Sequence, residues 1–284
     1  MILVTGATGN VGREVVNLLI AAGEEVVAVT RHAGAPSLPD GVHVVSGNPS
    51  QPATLAPALR GVKTVFISPR ALGDATAGMA SVELLKLATD HGARRVVALS
   101  AVTVQYGGGY QRFADAFRAV EDAVRASSLQ WTILRCADFA SNAMAWAPQI
   151  RKAGVVRGVY GEGATSTIHE RDVAAVSARA LTDAAHAGRT YVLTGPQSLT
   201  QRARVRLIGE AIGKEIPWVE IAPDDFRKAM LAQGLPADVP ERVIGYWVDR
   251  VQQPGPSSDD VERILGRPAM TFAKWAVEHA AAFR

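Results

Sequence analysis

The sequence lacks several features that would each indicate a particular class of protein. Its 284 residues include one cysteine, Cys136, so no disulfide can form within the chain and a reducing compartment is expected. No apolar run approaches the ~18 residues that a membrane helix needs. The short apolar run at the start is expected to be a strand rather than a signal peptide. We therefore expect a cytoplasmic protein without a membrane partner.

Charge of one sign is not concentrated anywhere in the chain. The 30 basic and 27 acidic residues are scattered and leave a net charge of +3, which gives no basic stripe of the kind that binds nucleic acid. The six histidines lack the helical spacing of metal ligands, so no metal site is predicted. No long surface stripe indicates an oligomeric interface, and a homodimer remains open.

The strongest positive signal lies in the first dozen residues. The apolar run Ile2-Leu3-Val4 precedes a glycine-rich turn, and a helical apolar pattern follows it. Strand, turn and helix in this order predict a dinucleotide-binding loop. Glycine lets the backbone approach a pyrophosphate, which the positive end of the helix then faces. The residues predicted to bind the cofactor here are Gly6, Thr8, Gly9, Asn10, Val11 and Gly12.

Apolar runs and helical patterns alternate as far as residue 135. The continuous apolar runs at 26–29, 42–45, 64–67, 96–99 and 131–134 are typical of buried parallel strands. They predict a doubly wound, parallel Rossmann sheet in an α/β domain over 1–138. A helix over 74–91 is expected to bury Met79, Val82 and Leu85. The mixed pattern beyond residue 135 predicts a smaller, mostly helical domain over 139–284 that closes over the carboxyl edge of the sheet, with later segments returning to the first domain.

The residues after the second strand predict the choice of cofactor. An acidic residue roughly 20 positions past the glycines selects NAD by binding the adenosine ribose. Arg31 and His32 occupy that place, and the first carboxylate is Asp40. A guanidinium can bind the extra phosphate of NADP, so NADP(H) is expected in preference to NAD(H); a solvated loop residue is the alternative. Asn48 and Ser68, which follow the third and fourth strands, complete the predicted cofactor-binding set.

Together these features resemble the NmrA-like branch of the atypical short-chain dehydrogenases/reductases, which includes quinone-reductase-like proteins and a redox-sensing regulator. The resemblance covers about residues 1–215 and lies in the glycine turn, Thr30-Arg31, Ala98–Ala101, the stretch from Glu121 to Arg135, Phe139, Asn142, Ile168-His169 with Asp172, and Thr190–Gly195. The chain departs from the family in two places. Cys136 stands where the family commonly has proline, and Asn48 stands where it commonly has aspartate.

The resemblance implies hydride transfer, but the usual proton donor of short-chain dehydrogenases is missing. That donor is a tyrosine followed four residues later by a lysine, whose charge lowers the tyrosine pKa. Tyr106 is followed at that distance by Tyr110, and Tyr110 by Ala114. No lysine lies between Lys86 and Lys152. A simple alcohol dehydrogenase mechanism is therefore not expected.

A conjugated acceptor does not need that donor. Hydride transfer to a quinone leaves a phenolate-like anion, whose conjugate acid has a pKa near ~10, so water or a hydroxyl can protonate it. We therefore predict an NADPH-dependent reductase of a small quinone or enone. The alternative is a non-catalytic NADP-binding redox sensor that acts through a protein partner. Cys136 is expected to be a small buried residue, and the candidate catalytic residues are Ser100, Tyr106 and Tyr110.

Overall fold

The computed structural model describes residues 1–31, 38–73, 76–106 and 111–284, with the backbone alone for 111–113. The predictions for His32 and Tyr110 lie outside these residues. In the described part of the chain, no helix has the length and apolar character to span a membrane.

The centre of the fold is a seven-stranded sheet. Its strands are β1 (Ile2–Val4), β2 (Val26–Thr30), β3 (His43–Ser46), β4 (Thr64–Ile67), β5 (Arg95–Ala101), β6 (Gln130–Cys136) and β9 (Arg189–Leu193), in the order β3-β2-β1-β4-β5-β6-β9. The pairs from β3 through β6 are all parallel. Every residue of β1, β2 and β4 is buried, as continuous apolar runs require. The expectation of a buried strand is wrong for β3, which lies at the edge of the sheet and is largely exposed. The predicted doubly wound sheet is confirmed.

Helices connect these strands. They are α1 (Asn10–Ala21), α2 (Ala77–Asp90), α3 (Thr103–Tyr106), α4 (Gln111–Ala126) and α6 (Glu170–Thr182), with 3-10 turns at Pro52–Leu59, Pro69–Leu72 and Ala184–His186. α1 packs against α6, although most of the chain's first half lies between them in sequence. One side of α6 is apolar and buried, at Val173, Val176, Ala180 and Leu181.

The predicted inner face of α2 is wrong in two of its three residues. Met79 is 73% exposed and Val82 59% exposed, whereas Leu85 is buried. The buried stripe consists largely of smaller residues, because α2 lies very close to α4. A Cβ atom at Gly78 would come within 2.8 Å of the Ala119 Cβ. Small side chains at helical spacing let two helices approach this closely, and the larger side chains lie outside the contact.

The chain forms two compact units that are interleaved in sequence. The first comprises Met1–Val104, Asp115–Cys136 and Glu170–Val192, and the second comprises Gln105–Ala114, Ala137–His169 and Leu193–Arg284. The domain boundary after residue 138 stays a prediction.

The second unit is mostly helical. It contains α5 (Ala147–Ala153), α7 (Gln201–Ile212), α8 (Pro223–Ala232), α9 (Asp238–Gln252), α10 (Asp260–Leu265) and α11 (Phe272–Glu278), with 3-10 turns at Ala140–Trp146 and Ala280–Phe283. Two small sheets pair β7 (Val156–Gly158) with β11 (Trp218–Glu220), and β8 (Ala164–Thr165) with β10 (Leu199–Thr200). In its core, α7 packs against α11, and the buried residues include Ile208, Phe272, Trp275 and Phe283.

Candidate functional site

The glycine-rich turn lies where the strand order of the sheet reverses. β2 and β3 continue from β1 on one side, and β4 through β6 continue on the other. In doubly wound sheets, ligands bind beyond the carboxyl ends of the strands at this switch point. The turn from Gly6 to Gly12 follows the carboxyl end of β1 directly and opens α1. The topology therefore places the predicted cofactor loop where such folds bind their ligands.

Two of the three glycines in the turn are required by its geometry. Gly6 has φ +66°, a left-handed conformation that side chains disfavour. A Cβ at Gly12 would lie 2.1 Å from the Gly6 carbonyl oxygen, so a side chain there would force the helix away from the turn. Gly9 has an ordinary extended backbone, with φ −78° and ψ 171°. Its Cβ would meet only the Gly6 oxygen, at 3.3 Å. The absence of a side chain at Gly9 instead leaves space for a ligand that approaches the turn from outside.

The N-terminus of α1 fits a phosphate group. Gly9 provides no side-chain cap, and the first turn of the helix contains no acidic residue. The backbone N–H groups at a helix start lack partners within the helix and carry partial positive charge. Thr8, Gly9 and Asn10 are exposed, whereas Val11 is buried. These residues form a cradle into which a pyrophosphate would fit.

Ser68 lies beside this cradle because two parallel strands are joined there. The Thr5 hydroxyl donates to the Phe66 carbonyl oxygen at 3.0 Å and accepts from the Ser68 backbone N–H at 2.9 Å. A Cβ at Gly6 would come within 3.0 Å of the Ser68 Cβ. Ser68 is thus held against the first glycine of the turn.

Arg31 and Asn48 lie on the β2 and β3 side of the turn. Arg31 is exposed and directly follows β2. The Asn48 side-chain oxygen accepts hydrogen bonds from the Ser50 N–H at 3.2 Å and the Ser50 hydroxyl at 2.9 Å. This turn engages the oxygen of the Asn48 carboxamide.

Ser100 belongs to a buried ionic network at the carboxyl end of β5. Its hydroxyl donates to Glu121 Oε1 at 2.6 Å. Arg135 donates to both oxygens of the same carboxylate, from Nε to Oε1 at 2.8 Å and from Nη2 to Oε2 at 2.7 Å. Arg125 Nη2 lies 2.8 Å from Oε2. Burial opposes the charge on Glu121, but the hydrogen bonds from Arg135 and Ser100 outweigh it, and the pKa of Glu121 lies below its usual range. Because the Ser100 proton is directed to Glu121, this hydroxyl is poorly placed to give that proton away.

Of the other two candidate catalytic residues, Tyr106 lies within the described part of the chain and Tyr110 does not. Tyr106 ends α3 and is 43% exposed. Cys136 is buried at the end of β6, and burial raises the pKa of its thiol above the usual range. A thiol kept neutral in this way is a poor nucleophile, which fits the predicted role of a small buried residue.

The second unit contains its own polar cluster. Arg204, 1% exposed, donates from Nη1 to Asp138 Oδ2 at 2.9 Å, and its guanidinium lies over the rings of Trp146 and Trp247, at 5.4 and 4.9 Å from their centroids. Asn142, one of the residues of the family resemblance, donates to the other Asp138 oxygen at 2.5 Å. This hydrogen bond from Asn142 helps to position Asp138. Within the described residues, no group of three His, Cys, Asp or Glu side chains could hold a metal ion.

Sequence reasoning gave no functional role to Arg13 or to the Glu121–Arg135 pair. Arg13 donates from Nη2 to the Thr8 carbonyl oxygen at 3.1 Å, across the glycine turn. Glu121 is a buried charge next to the buried Val120 in α4, and Arg135 lies between the apolar Leu134 and Cys136 in β6. A charge inside an apolar pattern is the signal that could have found this pair, because a buried charge needs a partner.

Comparison with known proteins places these features in a wider group. The model of a protein family described as NAD(P)H-binding matches residues 6–184. The chain is 37% identical to (4-alkanoyl-5-oxo-2,5-dihydrofuran-3-yl)methyl phosphate reductase from Streptomyces griseus, over 100% of this chain and 99% of that protein. It is 32% identical to the NAD(P)H azoreductase of Xenophilus azovorans, over 100% of this chain and 99% of that protein. The solved structure of an NADPH-dependent quinone oxidoreductase from Escherichia coli superposes with a TM-score of 0.82 and 25% identity, over 98% of this chain and 99% of the other.

Proposed function

The chain belongs to the NAD(P)H-binding family, in its NmrA-like branch of oxidoreductases, and from that premise we propose that it reduces a small conjugated acceptor, a quinone or an enone, with hydride from NADPH. One observation carries the proposal. The glycine turn leaves its backbone open to a pyrophosphate at the start of α1, whereas the sequence holds no lysine between Lys86 and Lys152 to assist a tyrosine. An enzyme built in this way suits acceptors that need little help with protonation.

The chemistry of the acceptor explains why a strong acid is unnecessary. When bound, NADPH supplies the hydride. The acceptor keeps the electron pair as a delocalised anion, and water can protonate it because the conjugate acid has a pKa near ~10, as for a phenol. A simple ketone would instead leave a localised alkoxide, which is far more basic. The chain's own contribution is to bind the pyrophosphate at Gly9 to Val11 and so hold the cofactor at the carboxyl edge of the sheet.

The relatives support this substrate class. The acceptor named for the Streptomyces enzyme is a dihydrofuranone that carries an alkanoyl group, so its ring double bond is conjugated with carbonyl groups. The other two names specify an azo compound and a quinone. In all three, the electron pair that arrives with hydride can spread over several atoms.

Stopped-flow loss of the NADPH absorbance tests the proposal against a panel of quinones, enones, aldehydes and simple ketones. We expect rapid oxidation by the quinones or enones and none above the protein-free control by simple ketones. Tight NADPH binding without oxidation by any panel member would contradict the reductase proposal. It would favour the alternative, a redox sensor that acts through a protein partner.

The preference for NADPH is assigned to Arg31. Arg31 is exposed at the end of β2, and a charged hydrogen bond to the 2′-phosphate contributes about 1.5–3 kcal/mol. Arg31→Ala should therefore weaken NADPH binding by about ten- to a hundred-fold and leave NADH binding nearly unchanged, as measured by calorimetry. The double change that also replaces His32 is the control for a shared role. Equal affinity of the unmodified protein for NADH and NADPH would contradict the assignment.

A further inference from the structure

Arg13 is placed where a cation is unfavourable unless an anion binds beside it. It lies in the first turn of α1, where its backbone N–H donates to the Gly9 carbonyl oxygen at 3.0 Å. Its side chain is exposed but turns back toward the helix start, where Nη2 donates to the Thr8 carbonyl oxygen at 3.1 Å. The guanidinium thus lies against the glycine turn and stays accessible to solvent.

The surroundings of Arg13 do not balance its charge. The N-terminus of a helix carries about half a positive charge, which repels a cation. The first turn of α1 has no acidic residue, and the contact described for the Arg13 side chain is with a neutral carbonyl oxygen, that of Thr8. One carbonyl oxygen accepts one of its five N–H groups, which leaves donors for a ligand at the turn.

We infer that Arg13 is a second cation of the cofactor site and binds the pyrophosphate, a group that NADH and NADPH share. The inference deepens the proposed function and rests on cofactor binding rather than on turnover. It divides the work between two arginines. Arg31 would distinguish the two cofactors through the 2′-phosphate, and Arg13 would hold both cofactors equally. The Thr8 carbonyl oxygen positions Arg13 in advance, so little side-chain entropy is lost when the ligand binds.

Calorimetric titration of Arg13→Ala with NADPH and with NADH tests this division. We expect both affinities to fall by a similar factor of about ten, the lower end of the range for a charged hydrogen bond, because the site is exposed. Arg13→Lys keeps the charge but loses the planar fork and should recover part of the affinity. Titration with ADP-ribose, which has the pyrophosphate but neither the nicotinamide nor the 2′-phosphate, should show the same loss.

A matched control removes an equal charge elsewhere in the first unit. Arg60 is exposed and precedes β4 at the opposite, amino edge of the sheet, so Arg60→Ala should bind both cofactors as the unmodified protein does. Unchanged affinities in Arg13→Ala would overturn the inference, and so would a loss confined to NADPH, which would assign Arg13 to the 2′-phosphate. If the unmodified protein bound neither cofactor, the proposed function itself would fail.

Discussion

Replacing Glu121 by alanine should destabilise the protein by about 3–5 kcal/mol, the cost of removing one partner from a buried ion pair. The carboxylate is fully buried and accepts hydrogen bonds from Ser100 and Arg135, and Arg125 lies at its second oxygen. Without Glu121, the Arg135 side chain, which is 14% exposed, keeps its charge and loses the carboxylate that accepts two of its hydrogen bonds. Urea denaturation followed by circular dichroism would measure the loss.

Two further variants show whether the charge of Glu121 is responsible. Glu83 is exposed on α2, so Glu83→Ala should change stability by no more than about 0.5 kcal/mol. Glu121→Gln keeps the shape of the side chain but removes the charge, and its loss should be intermediate. A similar small loss in Glu121→Ala and Glu83→Ala would show that the arginines find other partners.

The pH dependence of the Glu121 contribution follows from the lowered pKa. A carboxylate whose pKa is lower in the folded state stabilises the fold above its unfolded pKa of about 4.3 and loses that contribution as pH falls through the folded value. The stability difference between the unmodified protein and Glu121→Gln should therefore be constant near neutral pH. It should shrink below about pH 4. A difference that persists unchanged at low pH would contradict the assigned charge state.

Gly9→Val should abolish NADPH binding and leave the protein folded. The backbone at Gly9 is extended, and a Cβ there meets only the Gly6 oxygen, at 3.3 Å, a tight contact that a small shift of the turn would relieve. The two methyl groups would occupy the space through which a pyrophosphate approaches the helix N-terminus. We expect no measurable binding by calorimetry and a melting temperature lowered by no more than about 4 °C.

Gly12→Ala provides the contrast, because its effect should be on the fold itself. The added Cβ would lie 2.1 Å from the Gly6 oxygen, so α1 and the turn must separate. Stability and cofactor affinity should then fall together, whereas Gly9→Val should lose affinity alone. Normal NADPH affinity in Gly9→Val would refute the assignment of the phosphate loop.

The strands of the sheet could be predicted well because their signal is local. β4 has the predicted bounds, Thr64–Ile67, and three of its four residues are apolar, since a strand buried on both faces needs mostly apolar residues. The inner face of α2 could not be predicted from hydrophobicity. Its close approach to α4 selects small residues, and Met79 and Val82 remain exposed.

The cofactor turn could likewise be predicted from local sequence, whereas the Glu121 network could not. The turn lies within seven consecutive residues, so its glycine spacing could be recognised in the sequence. The network depends on the register of two strands, which places Ser100 opposite Arg135, and on the helix that brings Glu121 to both. Strand positions alone do not supply that register. The side-chain direction of Arg13 is likewise a tertiary property, visible only once the turn is folded.

The packing of α1 on α6 has a consequence for synthesis of the chain on the ribosome. The α1 residues Val15, Val16 and Leu19 are buried, but α6, which packs against this helix, begins only at Glu170. At about 5–20 residues per second, translation of the intervening segment takes roughly 7–30 s. During that interval the nascent chain carries an apolar helix face without its final partner. A chain released before residue 170 would keep that face exposed, and we expect chaperones and proteases to recognise it.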